Sequence, residues 1–194
     1  LQLAALARQR HLPAAGKPIV SGRHRFIADY LREDVLAPLS DDLQQFLLQT
    51  SILDQLCASL CNAVTEEEDS QEKLELLERQ NLFLLPLDGR REWFRYHPLF
   101  ADFLRAEFRR RQPAAVADLH RRAARWYLTH DLPEPAFPHA VAGDDAELVM
   151  EIGEHYFEIK LLSGEFRVLN RWLDALPPQW QSAYPLIGLF RAGV

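Results

Sequence analysis

Seven histidines are the residues of this sequence best suited to acid–base or metal chemistry near neutral pH. They stand at positions 11, 24, 97, 120, 130, 139 and 155. His130 and His139 have prolines between them and do not show a spacing typical of a metal site. The sequence also lacks a Walker A loop, a Gly-rich dinucleotide loop, an HExxH motif and a G-x-S-x-G motif. We therefore predict no catalytic site, no metal site, no bound cofactor and no enzymatic activity for this chain alone.

His97 differs from the other histidines because it joins an aromatic run to Pro98, which suits the first turn of a helix. Its neighbours in the sequence include Trp93, Phe94 and Phe100. One interpretation is a satisfied junction residue between a strand and a helix. The other is an imidazole that reaches out of its domain toward a phosphate held by a neighbouring domain. The residues alone leave both interpretations open.

Two cysteines, Cys57 and Cys61, have a spacing that puts them on one face of a helix. The pair could oxidise or bind a soft metal, but no histidine or third cysteine lies nearby in the sequence. The pattern therefore favours two buried small hydrophobic residues. This cysteine usage fits a cytoplasmic protein.

Arginines are concentrated at residues 105–125, on two successive predicted helices, and the acids within that stretch are Glu107 and Asp118. One interpretation is a solvated face that pairs with acids on neighbouring elements. A more specific interpretation is a docking patch for a partner domain. Nucleic-acid binding is the least favoured, because the chain has a formal net charge of −6. The arginines are Arg105, Arg109, Arg110, Arg111, Arg121, Arg122 and Arg125.

The composition indicates a mainly α-helical globular protein. The chain has 194 residues, of which 48% are hydrophobic and 26% charged, and it has only 8 glycines. It contains no apolar run long enough to predict a transmembrane helix and no visible signal peptide. Both ends fall within helical patterns and the first residue is not Met, so we expect a fragment of a larger protein.

A winged-helix domain is predicted from three short helices followed by a hairpin. Ser40, Asp41 and Asp42 form an N-cap cluster before a helix that carries apolar residues as far as Leu53. An Asp-Gly turn at residues 88–89 separates two short apolar runs, which is typical of a β-hairpin. The other predicted elements are a helix at 58–64, a charged loop at 66–70 followed by a helix that ends near 80–81, and strands within 82–87 and 93–97, with Pro86 on an edge strand.

The third helix of a winged helix commonly enters the DNA major groove. In this chain the corresponding stretch, residues 66–80, carries seven acids against Lys73 and Arg79. The phosphate groups of DNA would repel this acidic stretch. Contact with phosphates supplies most non-specific DNA affinity, so the stretch lacks that source of binding. We therefore expect no direct DNA binding by this domain.

Residues 113–194 read as a series of helices joined by short loops, which indicates antiparallel neighbours in a loosely TPR-like array. The last helix of this series is predicted at 186–190. At the other end of the chain, a helix is predicted at 1–10, a loop at 11–22 and a further helix at 26–36.

Several motifs, in this order and spacing, closely resemble those of MalT-like regulators, the large ATP-binding LuxR-family transcription activators of the STAND class. The resemblance spans nearly the whole chain. The motifs are FLLQTSIL at 46–53, LERQNLFL at 77–84, YHPLFADFLR at 96–105 and LHRRAARW at 119–126, followed by His139-Ala140.

The resemblance implies a domain order. It assigns residues 1–40 to the C-terminal tail of a nucleotide-binding module, 41–112 to a winged-helix domain and 113–194 to the start of a TPR-like sensor domain. In such proteins ATP and a small-molecule inducer convert an ADP-bound monomer into an oligomer that activates transcription through a separate C-terminal DNA-binding domain. ATP or ADP, and any slow ATP hydrolysis, would therefore belong to the full-length protein and not to this chain.

The resemblance also implies roles for particular residues. His97 matches a winged-helix histidine that contacts the ADP phosphate in related STAND proteins. Our hypothesis is that the winged helix is a clasp between the nucleotide and sensor domains, with Arg109, Arg110 and Arg111 at an interdomain contact. The partners expected for this segment are the protein's own other domains, with self-association on activation and no contact with membrane or nucleic acid.

Two other functions fit the same elements. An autonomous helical-repeat scaffold would bind a protein or peptide without nucleotide. A winged-helix DNA-binding domain would show salt-sensitive DNA affinity. Nucleotide-dependent behaviour of the full-length protein would favour the regulatory switch over both.

Overall fold

A computed structural model describes residues 26–178 and residue 180. The helices predicted at 1–10 and 186–190 and the loop at 11–22 lie outside these residues. We number the helices α1 to α8 and the strands β1 and β2. In chain order they are α1 Asp41–Thr50, α2 Ala58–Thr65, α3 Ser70–Arg79, β1 Leu84–Pro86, β2 Phe94–Tyr96, α4 Pro98–Arg111, α5 Val116–Thr129, α6 Pro133–Ala142, α7 Ala146–Leu162 and α8 Phe166–Ala175.

The chain divides into two compact units, Leu1–Pro38 and Leu39–Val194. In the first unit the described residues are helical from position 26, and Leu31–Leu36 is a π-helix. This agrees with the helix predicted from the spacing of apolar residues. The second unit contains the elements α1 to α8 and both strands, and within its described residues no helix is long and apolar enough to cross a membrane.

Helix α1 begins where the sequence predicted and ends earlier. The side-chain oxygen of Ser40 accepts a hydrogen bond from the Leu43 N–H at 3.4 Å, as expected of an N-cap. The helix ends at Thr50, so the expectation that it extends to Leu53 is wrong. At the end of the helix, Ser51 Oγ donates to the Leu48 carbonyl at 2.7 Å and so takes up a carbonyl of the last turn.

The predicted hairpin is confirmed, and a third segment joins it. The two strands pair antiparallel, with Leu85 opposite Arg95. Leu56, between α1 and α2, forms a further antiparallel bridge with Phe94 on the other side of β2, through hydrogen bonds of 2.8 Å in both directions. Strand β2 is therefore the middle strand, and β1 with Pro86 is the edge strand, as its missing N–H requires.

The loop of the hairpin is held by Asp88. Its two carboxylate oxygens accept hydrogen bonds from the backbone N–H groups of Glu92 and Trp93 at 3.1 and 2.9 Å. These backbone bonds lower the pKa of Asp88 below its ordinary value. The left-handed residue of the loop is Arg91, with φ 57°, and not Gly89. The Asp-Gly pair therefore marks the loop correctly without forming the two-residue turn that it usually favours.

Lys73 of α3 pairs with acids that precede the start of this helix. Residues 66–69 form a loop and α3 begins at Ser70, which agrees with the charged loop predicted at 66–70. The Lys73 side chain is buried and pairs with Asp42, Glu67 and Asp69. Burial would lower its pKa, but these carboxylates outweigh burial and raise it. One ammonium charge thus faces three carboxylates, and the stretch as a whole stays acidic.

Helix α5 connects the winged helix to the helices that follow it. It packs against α2 of the winged helix and also against α6, while α6 contacts α7 and α7 contacts α8. Arg122 of α5 donates to the Val64 carbonyl at 3.0 Å and pairs with Glu66, and Trp126 meets Trp93 edge to face. Polar and aromatic contacts thus join the two parts. The structure confirms the predicted fold class, mainly helical with a small hairpin.

Candidate functional site

His97 occupies the N-cap of α4, immediately after β2. Its backbone N–H donates to the Phe83 carbonyl at 2.7 Å, and its carbonyl accepts from the N–H groups of Phe100 and Ala101 at 2.9 and 3.0 Å. Its side chain makes no N-cap hydrogen bond. The backbone of His97 is therefore fixed on both sides, and its imidazole is not used to begin the helix.

The two nitrogens of the His97 imidazole have different surroundings. Nδ1 is buried and has no hydrogen-bond partner among the described residues. Nε2 is not buried in this way, and the His97 side chain as a whole is half-buried, so solvent reaches Nε2. An unpaired buried N–H is rare in proteins, so we assign the neutral tautomer with the proton on Nε2 and a lone pair on Nδ1. The accessible end of the ring is then a hydrogen-bond donor.

Phe83 supports this imidazole from the strand side. Its ring lies edge-on to the His97 ring, with centroids 6.5 Å apart, and tilted against Phe100 at 5.1 Å. The Phe83 backbone has φ 56°, a left-handed conformation that is uncommon for a bulky residue. The sequence prediction did not identify Phe83, because positive φ at a phenylalanine has no sequence signal.

The three arginines predicted at an interdomain contact are not equivalent. Arg110 and Arg111 both pair with Glu107, whose side chain is 2% exposed, and Arg111 Nε lies 2.8 Å from Glu107 Oε1. The hydrogen bond from Arg110, followed by that from Arg111, lowers the pKa of Glu107 to about 2 although burial opposes it. Arg109 is exposed, and no ion pair to it is found within the described residues. Of the three, Arg109 is the one whose guanidinium remains available to a partner.

The other arginines of the basic stretch have partners inside the chain. Arg105 donates to the Ser51 carbonyl and to Asp54, both at 2.8 Å. Arg121 donates to the Gly143 carbonyl at 2.8 Å, and Arg125 lies 3.6 Å from Asp145. Arg122 of α5 also has partners, Val64 and Glu66. Together these contacts favour the interpretation of a face that pairs with neighbouring elements.

The sequence prediction missed a pair of histidines, His120 on α5 and His139 on α6. Their Nδ1 atoms are 2.9 Å apart, so one imidazole donates to the other. Burial, and then the positive charges of Arg109 and Arg105, lower the pKa of His120 to about 4. Burial, followed by His120 and Arg105, lowers the pKa of His139 to about 3. Both rings are neutral near pH 7 and join the two helices.

The two cysteines are buried and free, as the sequence analysis favoured. Burial, followed by the nearby Cys57, raises the pKa of Cys61 well above its ordinary value. A thiol with a raised pKa is a poor nucleophile and a poor metal ligand. Within the described part of the chain, no group of three His, Cys, Asp or Glu side chains could hold a metal ion.

The fold and site together define a winged-helix domain that continues into a helical array. Residues 31–116 match the family model of the MalT winged helix domain.

Three curated relatives extend this similarity along the chain. The HTH-type transcriptional regulators MalT of Vibrio campbellii and Vibrio parahaemolyticus are each 34% identical over 195 residues, which cover 99% of this chain. The same regulator of Cronobacter sakazakii is 34% identical over 197 residues, again 99% of this chain. In each case the chain spans only 22% of the relative's length.

Proposed function

We propose that this chain is a regulatory segment of an ATP- and inducer-dependent transcription activator. The chain links a nucleotide-binding domain to a helical sensor domain. The similarity to HTH-type transcriptional regulators over nearly the whole chain supports the assignment to transcription regulation. The site residues and the packing of α5 support the linking role.

The observation that carries the proposal is the position of α5 between the winged helix and the helical array. Because α5 packs on both α2 and α6, a displacement of the winged helix moves the start of the array with it. The His120–His139 contact and the Arg122 contacts brace the two sides of this helix. A body of this kind transmits a change at one end without needing to unfold.

His97 supplies the contact at the other end of this body. Its accessible Nε2 is a hydrogen-bond donor, and a phosphate oxygen of ADP in the neighbouring nucleotide domain is the acceptor that we propose. The winged helix is then a clasp that is closed with ADP and released with ATP and inducer. The nucleotides act through their different affinities for these two conformations.

The remaining functional assignments follow from this role. We propose that the chain has no enzymatic activity of its own, that ATP or ADP binds to the neighbouring domain, and that the full-length protein acts in the cytoplasm and self-associates on activation. Direct DNA contact by α3 is not part of the proposal. On the outer face of α3, Glu72 and Glu75 are exposed, and its lysine, Lys73, is buried among carboxylates.

The test is retention of ADP by the full-length protein, comparing wild type with His97→Ala. We expect the variant to lose ADP while it remains folded by circular dichroism. The control is His130→Ala, which removes an exposed histidine of the helical array. Unchanged ADP retention in the His97 variant would contradict the nucleotide contact.

The interdomain role of the arginines requires a narrower test than reversal of all three charges. Reversing Arg110 or Arg111 would place a carboxylate beside the buried Glu107 and disturb α4 itself. Arg109→Glu avoids this problem, and we expect it to alter inducer-dependent activation of the full-length protein. The control is Arg79→Glu, another exposed arginine, on α3. Equal activation in wild type and Arg109→Glu would remove Arg109 from the interdomain contact.

A further inference from the structure

The loop between α3 and β1 has a feature that the proposed function does not explain. Asn81 and Phe83 both adopt left-handed backbone conformations, with φ 53° and 56°. Asparagine is frequently found in this conformation, because its short side chain bonds locally. A phenylalanine there is strained, and such strain persists only where the surrounding structure enforces it.

The conformation of Phe83 gives it two simultaneous contacts with His97. Its carbonyl accepts the His97 N–H at 2.7 Å, and its ring packs edge-on against the imidazole. Phe100 also contacts the Phe83 ring. Phe83 thus fixes the His97 backbone through its carbonyl and packs against the imidazole through its ring.

These contacts determine which nitrogen of His97 faces inward. Nδ1 is buried and lacks a partner among the described residues. Because burial without a hydrogen bond costs free energy, an unconstrained side chain would rotate to bring Nδ1 to water. The aromatic contact with Phe83 opposes that rotation. The consequence is an Nε2–H that is directed outward and is ready before any ligand arrives, which lowers the entropy cost of binding.

We propose that Phe83 is a positioning residue, whose left-handed backbone and ring hold His97 with Nε2 outward as a donor to a phosphate oxygen of a nucleoside diphosphate. This inference rests on the proposed function for the identity of the ligand. The orientation of the imidazole rests on the described contacts alone.

The first experiment measures the dissociation rate of ADP from the full-length protein. We expect Phe83→Leu, which keeps an apolar side chain but loses the aromatic face, to raise the rate about tenfold, the effect of weakening one charge-assisted hydrogen bond. Phe83→Tyr keeps the ring and should restore a rate close to that of wild type. The matched control is Asn81→Gly, which relieves the neighbouring left-handed residue without removing any contact to His97.

A double variant distinguishes positioning from a general structural effect. If Phe83 acts through His97, adding Phe83→Leu to His97→Ala should change the ADP dissociation rate less than about twofold further. Independent effects that multiply would overturn the inference. Normal ADP release by Phe83→Leu, with rapid release by His97→Ala, would also overturn it while leaving the proposed function intact.

A second measurement does not depend on ADP contact. Diethyl pyrocarbonate acylates the imidazole nitrogen that carries the lone pair, which in the assigned tautomer is the buried Nδ1. In the nucleotide-free full-length protein, peptide mass mapping should show His97 largely unmodified in wild type and carbethoxylated in Phe83→Leu. The same products in both proteins would overturn the positioning role, whereas unchanged ADP retention in His97→Ala would contradict only the nucleotide contact.

Discussion

Two histidine sites in this chain show opposite solutions to the burial of an imidazole. At the seam between α5 and α6, His120 and His139 satisfy each other across 2.9 Å. At the start of α4, the Nδ1 of His97 is buried without a partner among the described residues, next to a strained phenylalanine. Stability alone would favour the first arrangement, since an unsatisfied buried polar atom raises the free energy of the folded state.

The difference indicates what each site does. The paired histidines contribute to the packing that joins the winged helix to the helical array. The imidazole of His97 makes no capping bond, and its Nδ1 has no partner among the described residues. Arginines on α4 show the same division, because Arg110 and Arg111 hold the buried Glu107 while Arg109 is exposed. Groups whose partners lie within the fold stabilise it, and groups without such partners are the ones available to other domains.

Breaking the paired site should have the largest effect. His139→Ala leaves the Nδ1 of His120 without its partner and opens a cavity between α5 and α6. We expect the free energy of unfolding of this chain to fall by about 3 kcal/mol, the sum of a lost buried hydrogen bond and a lost side chain. Urea denaturation measures it, and a loss no larger than that of His130→Ala would refute the pairing.

Acid should weaken the same site. The pKa values of both histidines are lowered below the ordinary value of 6.5, so the folded state favours neutral rings and the unfolded chain takes up protons first as pH falls. Their stabilising effect is complete above pH 6.5 and declines toward pH 4. We expect the loss to be about 1.4 kcal/mol per pH unit for the buried His139 and less for the half-buried His120.

Carboxylates also titrate at low pH, so the control is a variant with both histidines replaced, His120→Phe/His139→Leu. Its free energy of unfolding should depend less steeply on pH than that of wild type between pH 6 and 4. Equal slopes in denaturation series at several pH values would show that the two histidines are not held neutral.

The arginines offer a comparison within one helix. Arg111→Glu brings a second carboxylate against the buried Glu107 and should lower the free energy of unfolding by about 1 kcal/mol. Arg109→Glu should change it by less than about 0.5 kcal/mol, as expected for an exposed side chain. Equal changes in the free energy of unfolding for the two charge reversals, measured by urea denaturation, would contradict this distinction between Arg111, which pairs with Glu107, and the exposed Arg109.

The effect expected at His97 has the opposite sign, because the substitution should stabilise the fold. His97 is an N-cap residue whose side chain makes no capping bond, whereas serine there would accept one from the first turn of α4. We expect His97→Ser to raise the free energy of unfolding by about 0.5 to 1 kcal/mol while ADP retention of the full-length protein falls. A destabilised Ser variant would mean that the imidazole contributes to folding.

Local patterns predicted the elements well where the deciding interactions are local. The Ser40 N-cap, the α2 helix, the hairpin, the edge position of Pro86 and the start of α4 at Pro98 are confirmed. The error concerns the end of α1, where the Ser51 hydroxyl takes up a carbonyl of the last turn. The assignment of residues 1–40, 41–112 and 113–194 to three functional modules stays a prediction.

The sequence by itself determined the helical composition, the hairpin, the residue His97 and the family motifs, because these depend on residue types within a few positions of one another. Tertiary structure alone decided that Nδ1 of His97 lies buried beside a left-handed Phe83, and that His120 meets His139. It also decided which arginines are held by Glu107. The physical reason is that burial and hydrogen-bond partnership depend on distances between segments, which the spacing of residues along the chain does not specify.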